Sequence, residues 1–234
     1  MNITMKFLVF GLALAAVLFS ALATSTKAGE LSLEGELTFL SDRIFRGISR
    51  SGGDVAGYGI LDLVHDSGLY GGVFISNYND PFGHDFETEF YLGYTATRGA
   101  YNFNLALSYD SFHGNGDSTG YFEVRGSISR DFGLAYLTGG IAFTPDNREF
   151  GGGRSIYTYT SAEFPLPFPS LPPMSFEVGV GYEDFQGGFN KWDWNVGFFV
   201  DYLGLEWGIQ YIDTNLTGFQ NAGSKAVFTL RKYF

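Results

Sequence analysis

The chain has no cysteine and only 7 prolines among its 234 residues. A chain without cysteine has no disulfide bonds, so its stability has to come from hydrogen-bonded secondary structure and from burial. Five of the prolines lie together in residues 164–174. Because proline cannot donate to a β-ladder, we expect this stretch to form a stiff, extended surface loop, with a partner-docking segment as the alternative.

Basic residues are scarce. The chain carries 14 Lys and Arg against 25 Asp and Glu, which gives a formal net charge of −11. Such acidity argues against nucleic-acid partners and predicts a negative potential in any water-filled cleft.

Long apolar runs are also rare, and the only one stands at the beginning of the chain. Residues 7–22 carry no charge and follow the lone Lys6. Small-residue sites at 21–23 and 26–28 come next, so we read residues 1–23 as a secretory signal peptide cleaved after Ala23, or alternatively after Ala28. No later stretch is long and apolar enough for a membrane-spanning helix.

The rest of the chain alternates apolar and polar residues in segments of about ten residues. In residues 31–39, for example, Leu33 and Leu37 share one face of a strand and Glu34 and Glu36 share the other. Aromatic residues make up 18% of the chain and appear on the apolar faces. Twelve strands can be placed, at about 31–42, 55–65, 69–77, 86–95, 101–110, 121–130, 133–143, 155–163, 176–183, 192–201, 205–211 and 225–234.

This pattern predicts an all-β fold: a single closed antiparallel transmembrane β-barrel of about twelve strands, formed by residues 31–234 as one domain. Ten strands remain open as an alternative. Every second connection is short, as expected if both chain ends lie in the periplasm: 66–68, 97–100, 131–132 and 202–204; the proline-rich stretch 164–174 is the exception. The connections between them are longer and polar: 43–54, 78–85, 111–120, 144–154, 184–191 and 212–224.

The polar strand faces would then line the interior of the barrel. They carry a candidate pore-lining set of Glu34, Glu36, Glu87, Glu89, Asp110, Glu123, Arg125, Glu177, Asp193, Asp201 and Glu206, with Glu183 and Arg231 on the same faces. One interpretation is an open, acidic, cation-favouring lumen. The other is an interior filled by paired charges.

A second group of charges, Asp42, Arg43, Arg46 and Arg50, lies in the first outward loop. It is a candidate mouth or constriction that would select anionic groups through bidentate contacts. Alternatively, these arginines pair with lipopolysaccharide phosphates or with neighbouring loop carboxylates.

Residues 41–49 (SDRIFRGIS) resemble the motif S-D-Y-x-F-R-G-I-S of the TorF family of porin-like proteobacterial outer-membrane barrels, with Arg43 where the family favours an aromatic residue. Residues 65–73 are similar to the short turn and third strand of that family. The terminal segment 226–234 resembles the signal read by the outer-membrane assembly machinery, carried here by Phe228, Leu230 and Phe234.

Catalysis has little support in the sequence. The three histidines have only loop neighbours, such as Ser111 beside His113, or Asp80 and Asp85 around His84 as a remote metal site. We therefore expect no enzyme, no cofactor and no metal.

The expected function is a porin-like channel of the bacterial outer membrane for passive diffusion of small hydrophilic solutes. Its expected partners are membrane lipid, lipopolysaccharide and the barrel-assembly machinery. The alternatives are a non-conducting structural or adhesion barrel and a soluble β-sandwich.

Overall fold

The computed structural model describes residues 31–115, 119–147 and 152–234. The predicted signal peptide and its cleavage sites lie outside these residues. Among the described residues, no helix is long and apolar enough to cross a membrane. The strands are β1 Leu31–Leu40, β2 Ile44–Phe45, β3 Ile48–Ser49, β4 Ala56–His65, β5 Leu69–Asn77, β6 His84–Arg98, β7 Tyr101–Gly114, β8 Thr119–Asp131, β9 Tyr136–Thr144, β10 Ser155–Pro165, β11 Met174–Phe185, β12 Asn190–Tyr202, β13 Leu205–Thr214 and β14 Lys225–Tyr233.

Twelve of these strands form one closed antiparallel barrel, which confirms the predicted fold class. Each strand pairs with its sequence neighbours, and β1 closes the ring by pairing with β14. The remaining strands, β2 and β3, form a separate small hairpin between β1 and β4.

The barrel is apolar outside and polar inside. On the outer face, Leu92 and Phe228 are 64% and 61% exposed, in line with many other large apolar side chains. The most deeply buried large side chains are instead charged ones, Glu87, Glu183 and Lys191. This arrangement inverts that of a soluble protein, in which charged residues are almost never fully buried without partners.

Several strands are longer than the sequence predicted. We expected a loop at 111–120, but β7 and β8 continue to Gly114 and from Thr119, with Ser111 paired to Gly120. The expected loops 78–85 and 184–191 shrink in the same way. Polar residues at these strand ends fit a ladder because one face of each strand points to a polar interior.

The two ends of the barrel differ. At one, the turn end, strands are joined by the connections 66–68, 99–100, 132–135, 166–173 and 203–204. At the other, the loop end, lie the longer connections 41–55 and 215–224. The proline-rich stretch belongs to the turn end and is not the extended excursion we predicted. Strand β10 runs on to Pro165, and Leu171 N donates to Phe168 O across a tight turn (3.1 Å).

The seam between the first and last strands is short. Five residue pairs join β1 to β14, from Glu36 opposite Tyr233 to Leu40 opposite Thr229. Beyond them, the backbones of Gly35 and Phe234 exchange two hydrogen bonds of 2.9 and 3.1 Å. The ring of Phe234 occupies the space that a Cβ on Gly35 would need. The last residue of the chain therefore takes part in closing the barrel.

Candidate functional site

Residues 41–55, here called the lumen segment, fold into the barrel at its loop end. Its hairpin turns at Arg46 and Gly47, which both have positive φ (48° and 79°) between the paired residues Phe45 and Ile48. Positive φ at both central residues is typical of a type I′ turn. A Cβ on Gly47 would lie 2.8 Å from Cβ of Asp193 and 2.9 Å from Cβ of Thr214, so the hairpin tip touches the inner wall at β12 and β13.

The lumen segment is fixed at several points. Ser49 N donates to Asn221 O (2.9 Å), which ties the hairpin to the connection 215–224. Asn79 N donates to Arg50 O (2.9 Å) on the other side. Asp42 accepts hydrogen bonds from the hydroxyls of Ser49 (2.5 Å) and Ser51 (2.8 Å). These hydrogen bonds anchor the lumen segment inside the barrel.

Two of its arginines meet one wall carboxylate. Arg43 and Arg50 bind the two oxygens of Glu87 on β6 at 2.6 and 3.0 Å. Glu87 is only 2% exposed. Arg50 also lies over the ring of Phe45, with its guanidinium carbon 4.1 Å from the ring centroid.

Arg46 reaches the wall on the other side of the hairpin. It donates to both oxygens of Glu123 on β8 (2.8 and 2.9 Å) and to Glu183 on β11 (3.3 Å). Burial alone would lower the pKa of the Arg46 guanidinium, but the Glu123 and Glu183 carboxylates outweigh burial and raise that pKa above its ordinary value. Lys191 completes the group, because its ammonium binds Glu183 (2.9 Å) and the carbonyl oxygen of Arg46 (2.8 Å).

These contacts form a layer of buried ion pairs across the loop-end half of the lumen. Burying a charge is costly unless it is paired and hydrogen-bonded, and removing one partner leaves the other uncompensated. Each carboxylate of the layer has two partners, either two cations or a cation and a hydroxyl. Glu123, for example, also accepts a hydrogen bond from Thr144 Oγ1 (2.9 Å). The ion pairs of the layer are therefore linked to one another. It holds the lumen segment against three separate strands.

The ion-pair layer separates a cavity at the loop end from two cavities deeper in the barrel. On its loop-end side lies a cavity of about 840 Å³, here called the vestibule, lined by Arg46, Arg50, Tyr78, Asn147, Phe189 and Phe219 among others. On the other side lie two inner cavities of about 300 and 340 Å³, which share Glu89 and Arg125 as lining residues. Phe45 lines both the vestibule and the first inner cavity.

The turn-end half of the lumen is acidic. Glu163 stands directly opposite Glu177, and Asp201 directly opposite Glu206, in the registers of neighbouring strands. Arg231 is the cation that pairs with carboxylates here, binding Glu206 (2.7 Å) and Glu36 (3.0 Å). Like charges placed directly opposite each other disfavour pairing of their strands, so this region holds an excess of negative charge at a cost in stability.

The candidate pore-lining residues all lie on the lumen-facing side of their strands. Glu87, Glu123 and Asp193 belong to the ion-pair layer, and Arg125 binds Glu89 and lies near Glu123 below it. The remaining candidates are Asp110, which is buried near Ser108, and Glu34, Glu36, Glu177, Asp201 and Glu206 towards the turn end. Whether these residues line a conducting path stays a prediction, as does the role of Asp42, Arg43, Arg46 and Arg50 as mouth or constriction.

Sequence reasoning missed several charged lumen residues, among them Lys191, Glu163 and Asp62, which accepts a hydrogen bond from Tyr91 (2.5 Å). Lys191 was predicted to lie in a loop. It precedes Asp193 by two residues and Asn195 by four, so it shares the polar face of β12 with them. Glu163 was missed because the facing of the eighth predicted strand was ambiguous.

The histidines lie apart from the ion-pair layer. His84 binds Asp80 (2.6 Å) in the loop-end wall, whereas His113 lies in β7 against Phe86 on the outer face, with Thr88 Oγ1 at 3.0 Å. The described residues contain no group of three or more His, Cys, Asp or Glu placed to hold a metal ion.

Comparisons with known proteins add a family and a fold. The model of a family described as "Bacterial protein of unknown function (Gcw_chp)" matches residues 24–233. No curated protein matches the chain. Among solved structures, the KdgM porin is similar at a TM-score of 0.56 and 8% identity, over 86% of this chain and 99% of that one.

Two structures from Pseudomonas aeruginosa are more distant. OccK5 (OpdH) has a TM-score of 0.49 at 12% identity, over 90% of this chain and 69% of that one. The outer membrane protein opdK has a TM-score of 0.48 at 12% identity, over 90% of this chain and 68% of that one. At such identity, the likeness to the KdgM porin concerns the barrel fold alone.

Proposed function

The chain belongs to the Gcw_chp family, and we propose that it is a porin-like channel of the bacterial outer membrane through which small hydrophilic solutes diffuse down their gradients. The proposed channel uses no cofactor and performs no chemistry.

The outer face supports a membrane location. Large apolar side chains cover it, and lipid-facing barrels alternate such residues with polar lumen residues along every strand. Closure removes the free sheet edges that a membrane interior would not tolerate. The apolar leader and the TorF-like motif of residues 41–49 favour the outer membrane of a Gram-negative bacterium over other membranes.

The observation that carries the channel proposal is the presence of cavities on both sides of the lumen segment. The vestibule lies at the loop end and the inner cavities lie beyond it, with Phe45 and the ion-pair layer between them. In this interpretation the lumen segment is the constriction of a solute path. A twelve-stranded barrel is wider than the eight-stranded barrels whose interiors are filled by side chains.

The turn-end half of the lumen supports a preference for cations. Its opposed carboxylates Glu163 and Glu177 have no basic residue in their register pair, and rings of acidic side chains are a known selectivity device in channels. The arginines at the constriction are held by carboxylates, so they bring little net positive charge to the path.

A non-conducting structural barrel is the second candidate. The observation in its favour is the ion-pair layer itself, because the buried pairs of Arg43, Arg46 and Arg50 fill much of the cross-section at the hairpin.

Single-channel recording separates the two functions. The refolded protein is inserted into a planar bilayer under a KCl gradient, with a folded state first established by its resistance to SDS without heating. Discrete current steps whose reversal potential favours K⁺ are expected. Silence from folded, inserted protein would overturn the channel proposal and leave the structural barrel.

A further inference from the structure

The vestibule has the chemistry of a carbohydrate site. We propose that it binds a small neutral saccharide, and that such a sugar is the solute of the proposed channel. This inference rests on the proposed function only for the step of passage. Binding to the vestibule can be tested without it.

Two aromatic walls line the vestibule. One, the Tyr78 wall, consists of Tyr78, Phe112 and Tyr121, whose successive ring centroids are 4.9 and 6.0 Å apart. The other, the Phe189 wall, consists of Phe185, Phe189 and Phe219, with successive centroids 5.2 and 5.5 Å apart. The walls come from different sides of the barrel, the first from β5 to β8 and the second from β11 to β14.

Such walls favour a ligand with flat apolar faces. Phe219 keeps 47% of its surface exposed, although its ring stacks on Phe189 at the edge of the cavity. The C–H faces of a pyranose ring pack well on aromatic rings, while its hydroxyls remain at the edges. The vestibule volume of about 840 Å³ lies within the range of small-ligand sites and exceeds the space of a single sugar ring.

A buried acceptor indicates that the ligand donates a hydrogen bond. Asn147 lines the vestibule, is 4% exposed, and its side-chain oxygen has no hydrogen-bond partner among the residues that the structure describes. Its orientation is fixed, because Nδ2 donates to Ser155 Oγ (3.0 Å) and Ser155 Oγ in turn donates to Glu183 (3.1 Å). A buried acceptor without a donor costs free energy, and a sugar hydroxyl would supply that donor.

The charges of the vestibule argue against an anionic ligand. Arg46, Arg50 and Lys191 form its floor, and each already binds a wall carboxylate. An incoming carboxylate would have to displace Glu87, Glu123 or Glu183 from buried pairs. It would also leave the oxygen of Asn147 unsatisfied, because an ionised carboxylate accepts hydrogen bonds and donates none. A neutral polyol with apolar faces would displace no wall carboxylate and would donate a hydrogen bond to the oxygen of Asn147.

The test measures binding to the full-length refolded barrel in detergent micelles by saturation-transfer difference NMR, with maltose as the probe. Benzoate serves as an anionic aromatic probe, and glycerol as a polyol without a ring. We expect transfer to the ring protons of maltose and little or none to benzoate or glycerol. Transfer to benzoate alone, or to none of the three, would overturn the proposal.

Two variants locate the site. Phe219→Ala removes an exposed ring of the Phe189 wall and should weaken maltose binding about tenfold, as expected when a stacking surface is lost. Phe168→Ala removes a ring that is also exposed but lies in the turn-end connection 166–173, and it should leave binding unchanged. Equal binding by the Phe219→Ala and Phe168→Ala variants, both folded, would show that maltose does not bind in the vestibule.

The two proposals fail in different ways. Maltose binding by a barrel that carries no current would keep the saccharide site and reject the channel. Ion current without maltose binding would keep the channel and reject the site.

Discussion

Glu87 connects two arginines of the lumen segment to the barrel wall, and it is almost fully buried. A Gln in its place would keep the shape and lose the charge. Both guanidiniums would then remain buried without their carboxylate, and breaking a buried pair in this way costs about 3–5 kcal/mol.

We expect Glu87→Gln to lower the temperature at which the folded barrel loses its SDS-resistant mobility. The matched control is Glu34→Gln, which removes an exposed carboxylate on β1 that faces the lumen near the turn end. An equal shift for both variants would mean that net charge, and not the buried pair, determines the effect.

Turn geometry gives a second prediction at the residue scale. Gly68 has φ +95°, and a Cβ there would overlap the backbone carbonyl of Thr95. Gly99 also has a positive φ, but its Cβ would meet open space. Gly99→Ala should cost about 1–2 kcal/mol for the left-handed conformation, and Gly68→Ala clearly more, because backbone cannot move aside as a side chain can. Urea unfolding of the two variants in liposomes compares them directly, and equal midpoints would contradict the prediction.

At the scale of elements, the lumen segment controls the width of the proposed path. Replacing residues 43–50 by a short Gly-Ser linker would remove the β2–β3 hairpin and its three arginines together. Ser41 and Val55 would still join β1 to β4 without disturbing the closed ladder. We expect single-channel conductance to rise several-fold relative to the parent barrel, because the constriction would be gone.

The control for this deletion shortens the turn-end connection 166–173, which lies outside the lumen segment and the ion-pair layer. Its removal should leave conductance near the parent value. An unchanged conductance after loss of residues 43–50 would show that the narrowest point lies elsewhere.

The elements also show what the sequence could and could not predict. Period-two alternation was convincing in eight of the twelve predicted strands, because those strands have one apolar and one polar face, and the structure confirms a barrel of twelve strands. The path of the lumen segment had no such signal, since β2 and β3 contain two residues each. Its partners, Glu87 and Glu183, follow Arg43 and Arg46 by 44 and 137 residues, a distance at which pairing cannot be read from local pattern.

For the whole molecule, the distribution of charge along the barrel axis determines the expected selectivity. Cations and carboxylates are paired near the loop end, while carboxylates are in excess near the turn end. Glu163→Gln combined with Glu177→Gln should therefore reduce the preference for K⁺ in a KCl gradient. The double variant should unfold with the same or a slightly higher free energy of unfolding than the parent, because two like charges no longer oppose each other in the ladder.

The matched control for this pair is Asp66→Asn, which removes an exposed charge in a turn. The preference should fade as salt rises, because the screening length falls from about 10 Å at 0.1 M to about 3 Å at 1 M. A reversal potential that stays the same in the double variant would exclude these residues from the path.

The bonds between Gly35 and Phe234 have a consequence for how the protein is made. Most strand pairs join neighbours in sequence and can form early, but closure has to bring β1 and β14 together. The ring therefore cannot be completed until the segment that carries Phe234 is available to pair with β1 and Gly35. Until β1 and β14 meet, each leaves an unpaired edge and the apolar outer face is incomplete, so we expect the unclosed barrel to be more prone to aggregation than a protein of similar size whose strands all pair with their sequence neighbours.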